Sequence, residues 1–187
     1  MLNNVTPAEG SLLLSEPFML DPNFKRSVVF LTEHNEEGTM GYILSQKSEY
    51  TLKDVLPDFE GKDFPVYVGG PVGSDTLHFL HNCYDRMNSG TEVSKGIYWG
   101  GNFETLGLLL KNRLVTEDEI KFFIGYSGWG EGQLVEELGH NSWLVTNNFH
   151  NKTIFYGDEK SLWKEIVVGL GPKYSHIANF PENPMWN

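Results

Sequence analysis

The stretch "FFIGYSGWGEGQLVEEL", Phe122–Leu138, decides how this chain folds. Its aromatic, apolar start predicts a strand and its end predicts a helix, with glycines between them at positions 125, 128, 130 and 132. Glycines let a strand meet a helix closely and permit positive φ where a chain reverses. We therefore predict a glycine turn that is first a corner of the fold and second a site.

The composition predicts one domain. The chain has 187 residues, 40% of them hydrophobic and 13% aromatic, which is enough to fill a core. It contains no apolar run of about 18 residues that could span a membrane, and its N-terminus lacks the positive start of a signal sequence. The lone Cys83 is not typical of a disulfide-stabilised secreted domain. We expect a cytoplasmic protein without a membrane partner.

The charge balance argues against direct nucleic-acid binding. Fourteen basic residues against twenty-five acidic ones leave a formal net charge of −11, and the basic residues are scattered along the chain. Binding to phosphates normally needs a concentrated positive face that displaces counterions. We therefore expect a protein or a small ligand as the partner.

The order of the predicted elements indicates the fold class. Capping patterns at Thr51, Asn102 and Thr116 predict helical starts, and apolar spacing predicts a last helix that stops at Gly171-Pro172. Strands are predicted at 12–14, 26–32, 40–45, 65–72, 76–81, 121–126, 142–146 and 152–157, with a hairpin turn at Gly38. Because strands come in runs without regular β-α-β alternation, we predict an α+β fold with a mainly antiparallel sheet.

The glycine segment comes close to two phosphate-binding patterns without matching either. The dinucleotide pattern started at Gly128 meets Gln133 where its last glycine belongs. The P-loop pattern started at Gly125 requires a lysine where this chain has Glu131. Nearby carboxylates would also oppose a phosphate, so nucleotide binding is a secondary hypothesis.

The same segment resembles a nucleophile elbow, but it fails by one position. In G-x-S-x-G the serine lies on a strained turn between glycines. Here Gly128 follows Ser127 directly, and Trp129 stands where the second glycine belongs. His140 or His150 could supply a base, but nothing in the sequence ties either to the serine. We predict that this serine has a structural role, and a hydrolase remains the alternative.

Neither a metal site nor a cofactor is predicted. His78 and His81 have chelating spacing only on a helix, and on the predicted strand they would point to opposite faces. No cluster of cysteines or carboxylates completes a ligand set.

Arg26 and Trp129 each have two interpretations. Arg26 either pairs with Asp21, which we favour, or presents its planar fork to an anion or a partner carboxylate. Trp129 either fills the core beneath the glycines, which we favour, or stands exposed as an interface anchor. Phe180 and Trp186 either dock the C-terminal tail or leave it loose.

Several motifs together resemble the YqgE/AlgH family of small bacterial proteins. The matching stretches are "GSLLLSEPFMLDPNFKRSVVFLTEH", "GTMGYILS", "PVYVGGPVGSDTLHFLH" and "FFIGYSGWGEGQLVEEL", in family order. The resemblance implies one domain over 1–187, with a core at about 10–170, a tail at 171–187, and a curled, barrel-like sheet surrounded by helices. Relatives usually carry alanine at the position of Ser127, which counts against a nucleophile there. The chain also departs from the family at Ser45-Gln46-Lys47, where relatives commonly have Asn-Arg/Lys-Pro.

The resemblance implies little about mechanism. Some members carry the label of transcriptional regulator, but this chain shows no helix-turn-helix with a basic recognition helix. Our hypothesis is a non-enzymatic binding or regulatory protein, and the alternative is a hydrolase or nucleotide-binding enzyme that uses the 125–133 glycine turn. The candidate contact residues are Arg26, Gly69, Gly70, Pro71, Tyr126, Gly128, Trp129 and Gln133.

Overall fold

The structure, a computed structural model, describes residues 5–155 and 159–180. The strands are β1 Leu12–Ser15, β2 Val28–Asn35, β3 Gly38–Ile43, β4 Lys47–Thr51, β5 Pro65–Val68, β6 Val72–His81, β7 Thr91–Ser94, β8 Ile97–Trp99, β9 Ile120–Gly130 and β10 Trp143–Thr146. The helices are α1 Leu52–Val55, α2 Tyr84–Met87, α3 Phe103–Lys111, α4 Gln133–Gly139, α5 Lys152–Phe155, α6 Glu159–Gly169 and α7 Pro172–Ser175, followed by a 3-10 turn at Ile177–Asn179.

The strands form one curled sheet in the order β10-β1-β2-β3-β9-β6-β8-β7, with β4 and β5 branching from β9. All pairs are antiparallel except β5 with β9. The sheet curls, so that a Cβ on Gly10, just before β1, would lie 2.8 Å from the Cβ of Ser94 in β7. The predicted α+β class and the mainly antiparallel, curled sheet are confirmed.

Apolar side chains fill the space on both faces of the sheet. Leu12, Phe30 and Tyr42 on the inner face pack with Trp163 and Val167 of helix α6. On the opposite face, Leu13, Val29 and Ile43 pack with Trp129 beneath helix α4. Because both faces of the sheet are covered, every residue of β1 is buried, and buried and exposed residues do not alternate along it.

The helix starts predicted at Thr51 and Asn102 are confirmed, and the box predicted at Thr116 closes a single turn. Asn102 accepts a hydrogen bond from the backbone N–H of Thr105 at 2.8 Å and caps α3. Asp54 closes the predicted capping box at the start of α1. Glu119 accepts from the backbone and hydroxyl of Thr116, at 3.0 and 3.1 Å, in a single turn before β9.

The strand predicted over 152–157 is wrong for its described part. Residues Lys152–Phe155 form α5, opened by a hydrogen bond from the Thr153 N–H to the His150 carbonyl at 2.8 Å. Ile154 and Phe155 are buried in the interior cluster. Short apolar runs do not distinguish strand from helix by periodicity, and here the tertiary contacts decide. Residues 156 and 157 lie outside the described part.

Residues beyond the last long helix also contribute to the interior cluster. Gly171 and Pro172 do stop α6, but α7 and the following turn bring Ile177 and Ala178 into the interior cluster. Phe180 stacks on Phe18 with ring centroids 5.4 Å apart. Trp186, the second predicted anchor, lies outside the described residues. Within 5–155 and 159–180, no helix is long and apolar enough to cross a membrane.

Candidate ligand-binding site

The glycine segment is a strand along most of its length, which corrects the predicted turn. β9 continues through Gly130, and the reversal is confined to Glu131 and Gly132, where the positive φ of 71° starts helix α4. The reason is the partner strand β3, which pairs with β9 from Gly41↔Ser127 to Gly38↔Gly130. Backbone pairing holds Gly128 and Gly130 extended, whereas Gly125 has a positive φ of 66°.

Some of the glycines allow two segments of the chain, residues 69–70 and 125–126, to pack closely against each other. A Cβ on Gly70 would lie 2.3 Å from the carbonyl carbon of Tyr126, and one on Gly69 would lie 2.4 Å from the Gly125 carbonyl oxygen. Both Gly69 and Gly70 are buried. The "GGPV" and "GYSGWGEGQ" segments therefore do lie side by side, as predicted. Gly69 and Gly70 themselves are buried beneath the surface.

Ser127 lies inside this crossing. Its side chain is fully buried, and its hydroxyl donates to the Gly69 carbonyl at 2.9 Å. A substrate carbonyl has no access to an oxygen held in this way. The geometry agrees with the structural role that we predicted for the serine.

Gly128 and Gly130 lie in β9, and neither the backbone nor the packing requires a glycine at position 130. Neither has a positive φ, and a Cβ on Gly130 would have nothing within 4 Å. On Gly128 it would meet only the Tyr126 ring, at 3.3 and 3.8 Å. Both glycines are exposed. Glycine within a strand often marks a place where a ligand or another backbone approaches.

These glycines form the floor of a cleft with a volume of about 410 Å³. Gly128 is opposite Met40 and Gly130 is opposite Gly38, so all four lie on one face of the β3–β9 pair. Gly38 must also lack a side chain, because a Cβ there would lie 2.6 Å from the Trp129 carbonyl oxygen. The walls are Glu33, Asn35 and Glu37 on the hairpin side and Val72 and Tyr126 on the other.

The charged wall of the cleft is carried by an ordered hairpin. Asn35 accepts hydrogen bonds from the backbone N–H groups of Glu37 and Gly38 at 2.9 and 3.2 Å. The His34 ring is 2.7 Å from the hydroxyl of Thr39 across the two strands. The described lining holds two carboxylates and no basic side chain. The cleft therefore presents negative potential around a bare floor.

A carboxylate that we did not predict supports the far end of the floor. Trp129 is buried as favoured, and its indole N–H donates to Glu137 at 2.9 Å. Trp143 donates to the same oxygen at 2.7 Å. Gln133 donates to the other oxygen of Glu137 and accepts from the Gly130 N–H, both at 3.0 Å. The helical i, i+4 spacing of Gln133 and Glu137 was the available signal.

Behind the cleft lies an aromatic group with titratable members. The ring of His78 is 5.4 Å from that of Tyr42 and 6.0 Å from that of Tyr126. Burial lowers the pKa of His78. Burial also raises the pKa of Tyr42; the Trp99 indole opposes this rise, whereas Glu33 and Tyr126 add to it electrostatically.

Arg26 lies at a different part of the molecule. Its guanidinium donates to the Phe180 carbonyl and lies 5.0 Å from the centroid of the Trp163 ring. The favoured ion pair with Asp21 is absent among the described residues. Asp21 instead accepts from the backbone and side chain of Asn23, both at 2.9 Å. Arg26 thus fixes the last described residue of the chain to helix α6.

The two histidines that could have suggested a metal have different neighbours. His78 Nε2 is 2.9 Å from the Thr76 hydroxyl, and His81 Nε2 is 3.1 Å from the Gly100 carbonyl. Burial also lowers the pKa of His81, against a smaller opposing effect of its hydrogen bond to Gly100.

Two larger depressions lie elsewhere. One of about 510 Å³ lies between residues 148–153 and α6, and one of about 550 Å³ lies beside Phe18 and Phe180. Neither is lined by a predicted contact residue, whereas the cleft is lined by Tyr126, Gly128 and Trp129. Pro71 is exposed immediately before Val72 of the cleft wall.

Comparison with solved structures agrees with this fold. The solution structure of the AlgH protein from Pseudomonas aeruginosa matches with a TM-score of 0.73 and 27% identity, covering 96% of this chain and 98% of that one. The crystal structure of protein DIP2367 from Corynebacterium diphtheriae matches with a TM-score of 0.79 over 95% of both chains. At 21% identity, this second likeness shows the fold alone.

Sequence comparison shows the family. A UPF0301 protein of Chlorobaculum tepidum is 39% identical over 178 residues, which is 95% of both chains. A UPF0301 protein of Bacteroides thetaiotaomicron is 39% identical over 186 residues, or 99% of this chain and 94% of the relative. The sequence profile of the AlgH-like family matches residues 12–175. This chain therefore belongs to the AlgH-like family.

Proposed function

We propose that this protein is a non-enzymatic binding protein of the cytoplasm and that the glycine-floored cleft is its contact surface. The observation that carries the proposal is the bare floor at Gly128 and Gly130. Glycine in a strand interior costs about 0.5–1 kcal/mol relative to alanine. Since Gly130 has no positive φ and has open space around it, the fold does not account for the cost of a glycine at this position. Space on the floor for a ligand or partner would account for that cost.

The surroundings of the cleft fit binding better than catalysis. The Ser127 hydroxyl is hydrogen-bonded to the Gly69 carbonyl. The floor of the cleft is glycine backbone, which provides a shape for binding and no reactive side chain. The Trp129–Glu137–Gln133 network holds the end of this floor in place, so the surface is preorganised. Preorganised surfaces lose less entropy when a partner binds.

A regulatory role would follow an indirect route. The net charge of −11 and the acidic wall of Glu33 and Glu37 oppose a nucleic-acid backbone. Any effect on transcription would therefore pass through a protein or small-ligand partner that occupies the cleft.

The test fills the floor without disturbing the fold. Gly130→Val places a β-branched side chain on a strand position that has space for it, so the variant should fold with unchanged or slightly higher stability. A thermal-shift screen of nucleotides, acyl compounds, amines and short peptides is run on this variant and on the wild type. A ligand present at 100 times its Kd should add about 2.7 kcal/mol of stability.

Gly107→Ala is the matched control. Gly107 lies in α3, and a Cβ there would likewise have nothing within 4 Å. Ligands should stabilise the wild type and Gly107→Ala but fail to stabilise Gly130→Val. Equal stabilisation of all three proteins would place binding elsewhere, and turnover of any screened compound would overturn the non-enzymatic assignment.

A further inference from the structure

Helix α3 and its flanks present apolar side chains to solvent. Leu108, on the outer face of the helix, is 63% exposed. Phe103 at its start and Leu114 just past its end are 53% and 52% exposed. Single exposed apolar residues are ordinary, but a group of them along one helix is typical of a contact surface. The outer side of α3 is therefore a candidate interface.

Gly107 leaves an open space beside Leu108. It lies within α3 without a positive φ, and a Cβ there would have nothing within 4 Å. Glycine in a helix interior costs about 1 kcal/mol relative to alanine. Neither the backbone conformation nor the packing of this chain accounts for that cost. Space for a side chain from outside the chain would account for it.

Two opposite charges flank this pair of positions symmetrically. Glu104 is three residues before Gly107, and Lys111 is three residues after Leu108, so all four lie on one face of the helix. The stretch 103–114 holds one acidic residue and two basic ones, in a chain with a net charge of −11. A second copy of this acidic chain therefore meets less repulsion here than over most of the surface.

We infer that two copies of the chain associate through α3, with the two helices antiparallel about a two-fold axis between Gly107 and Leu108. In this arrangement Leu108 of each copy fills the space above Gly107 of the other. Glu104 of each copy faces Lys111 of the other, because the two residues are equally far from the axis. The surface is thus complementary to itself, as a two-fold interface requires.

The length of α3 limits the strength of this dimer. Its nine residues span about 14 Å, and a contact of that length is smaller than a standard protein interface. We expect a weak dimer with a Kd on the order of 100 μM. The inference is independent of the proposed function, since no residue of α3 is among the described lining of the cleft.

Sedimentation velocity of the full chain over a range of concentrations tests the association. The wild type should pass from monomer to dimer as the concentration rises, without larger species, because a two-fold contact closes on itself. Leu108→Gln should weaken the dimer at least about tenfold. The matched control is Val135→Gln, which replaces a 61% exposed apolar residue of helix α4 and should leave the association unchanged.

Charge reversal tests the antiparallel arrangement. Glu104→Lys and Lys111→Glu should each weaken the dimer about tenfold, because each places two pairs of like charges across the axis. An equimolar mixture of the two variants should associate as the wild type does, since both pairs across the axis are then opposite in charge. Glu60→Gln removes the ion pair that Lys111 makes within its own chain and should not weaken the dimer.

Gly107→Ala separates the contact between copies from the stability of the helix. Its methyl group should raise the urea midpoint of the dilute, monomeric protein, because alanine favours the helix. The same methyl group takes space that Leu108 of the other copy fills, so the dimer should be weaker. A glycine without a partner would give the first change and not the second.

Three outcomes would overturn the inference. They are a wild type that stays monomeric at every concentration, a Val135→Gln variant as weakened as Leu108→Gln, and a charge-reversal mixture that associates no better than its components. The first would leave the α3 face to a different protein. The proposed function of the cleft would stand in each case, because Gly130→Val tests it separately.

Discussion

Trp129 and Trp143 donate their indole N–H groups to the same carboxylate oxygen of Glu137, at 2.9 and 2.7 Å. The two rings meet edge to face with centroids 5.7 Å apart. One side chain of helix α4 therefore satisfies the polar atoms of two core tryptophans. It also ties the helix to the sheet beneath it.

Glu137→Ala should leave both indole N–H groups without an acceptor. We expect a loss of about 3 kcal/mol in the free energy of unfolding, measured by urea denaturation with tryptophan fluorescence. Glu137→Gln retains an acceptor oxygen and should lose less. The control is Glu136→Ala, an exposed position on the same helix, and an equal effect there would show that the two indole bonds are not responsible.

Gly70→Ala should be among the most damaging glycine substitutions in the chain. Its Cβ would lie 2.3 Å from the backbone of Tyr126, and backbone cannot move aside as a flexible side chain can. We expect a loss of about 3 kcal/mol or more, seen as a lower urea midpoint or a lower soluble yield. Gly107→Ala should instead stabilise the chain by about 1 kcal/mol. A Gly70→Ala protein of wild-type stability would contradict the close crossing.

Arg26→Ala should release the end of the described chain. The variant loses the bond to the Phe180 carbonyl and the contact with Trp163, so hydrogen exchange at residues 177–180 should accelerate. Stability should fall by about 1–2 kcal/mol. Lys25→Ala removes an adjacent exposed charge and should change neither measurement. Exchange at 177–180 that stays at the wild-type rate would show that Arg26 does not hold this segment.

His78 and His81 should make the protein sensitive to mild acid. Burial lowers the pKa of both, so the folded state binds a proton less readily than the unfolded state, whose histidine pKa is about 6.5. Stability should therefore fall as the pH drops below about 6.5 and level off once the pH is below the folded-state pKa values. NMR titration of the two imidazoles should give midpoints below 6.5, and a midpoint at or above that value would refute the assignment.

Local patterns predicted much of the fold because the interactions behind them are local. The caps at Asn102 and Asp54 join residues three positions apart, so a short window of sequence contains both partners. The hairpin that begins at Val28 is equally local, because its two strands are consecutive. The strand predicted over 152–157 failed where the packing of Ile154 and Phe155 outweighed their preference for a strand.

The candidate site was only partly predictable. The glycine segment, Tyr126 and Gln133 stood out in the sequence, but the sequence could not tell which glycines are crowded and which face open space. That difference depends on strands far apart in the chain, since Gly70 meets Tyr126 whereas Gly130 faces the cleft beside Glu37. Glu137 offered only its i, i+4 spacing from Gln133, because the two tryptophans that donate to it come together only in the tertiary structure.

The sequence by itself determined the fold class, the family and the acidic character of the surface, because these follow from local patterning and composition. Only the tertiary structure decided that β9 continues through Gly128 and Gly130, that the Ser127 hydroxyl is buried against the Gly69 carbonyl, and that a floor without side chains lies open between β3 and β6. The physical reason is that the sequence shows only that a residue is glycine. It does not show whether the missing side chain allows another part of the chain to pack closely or leaves space for a ligand. Only its neighbours in space distinguish the two.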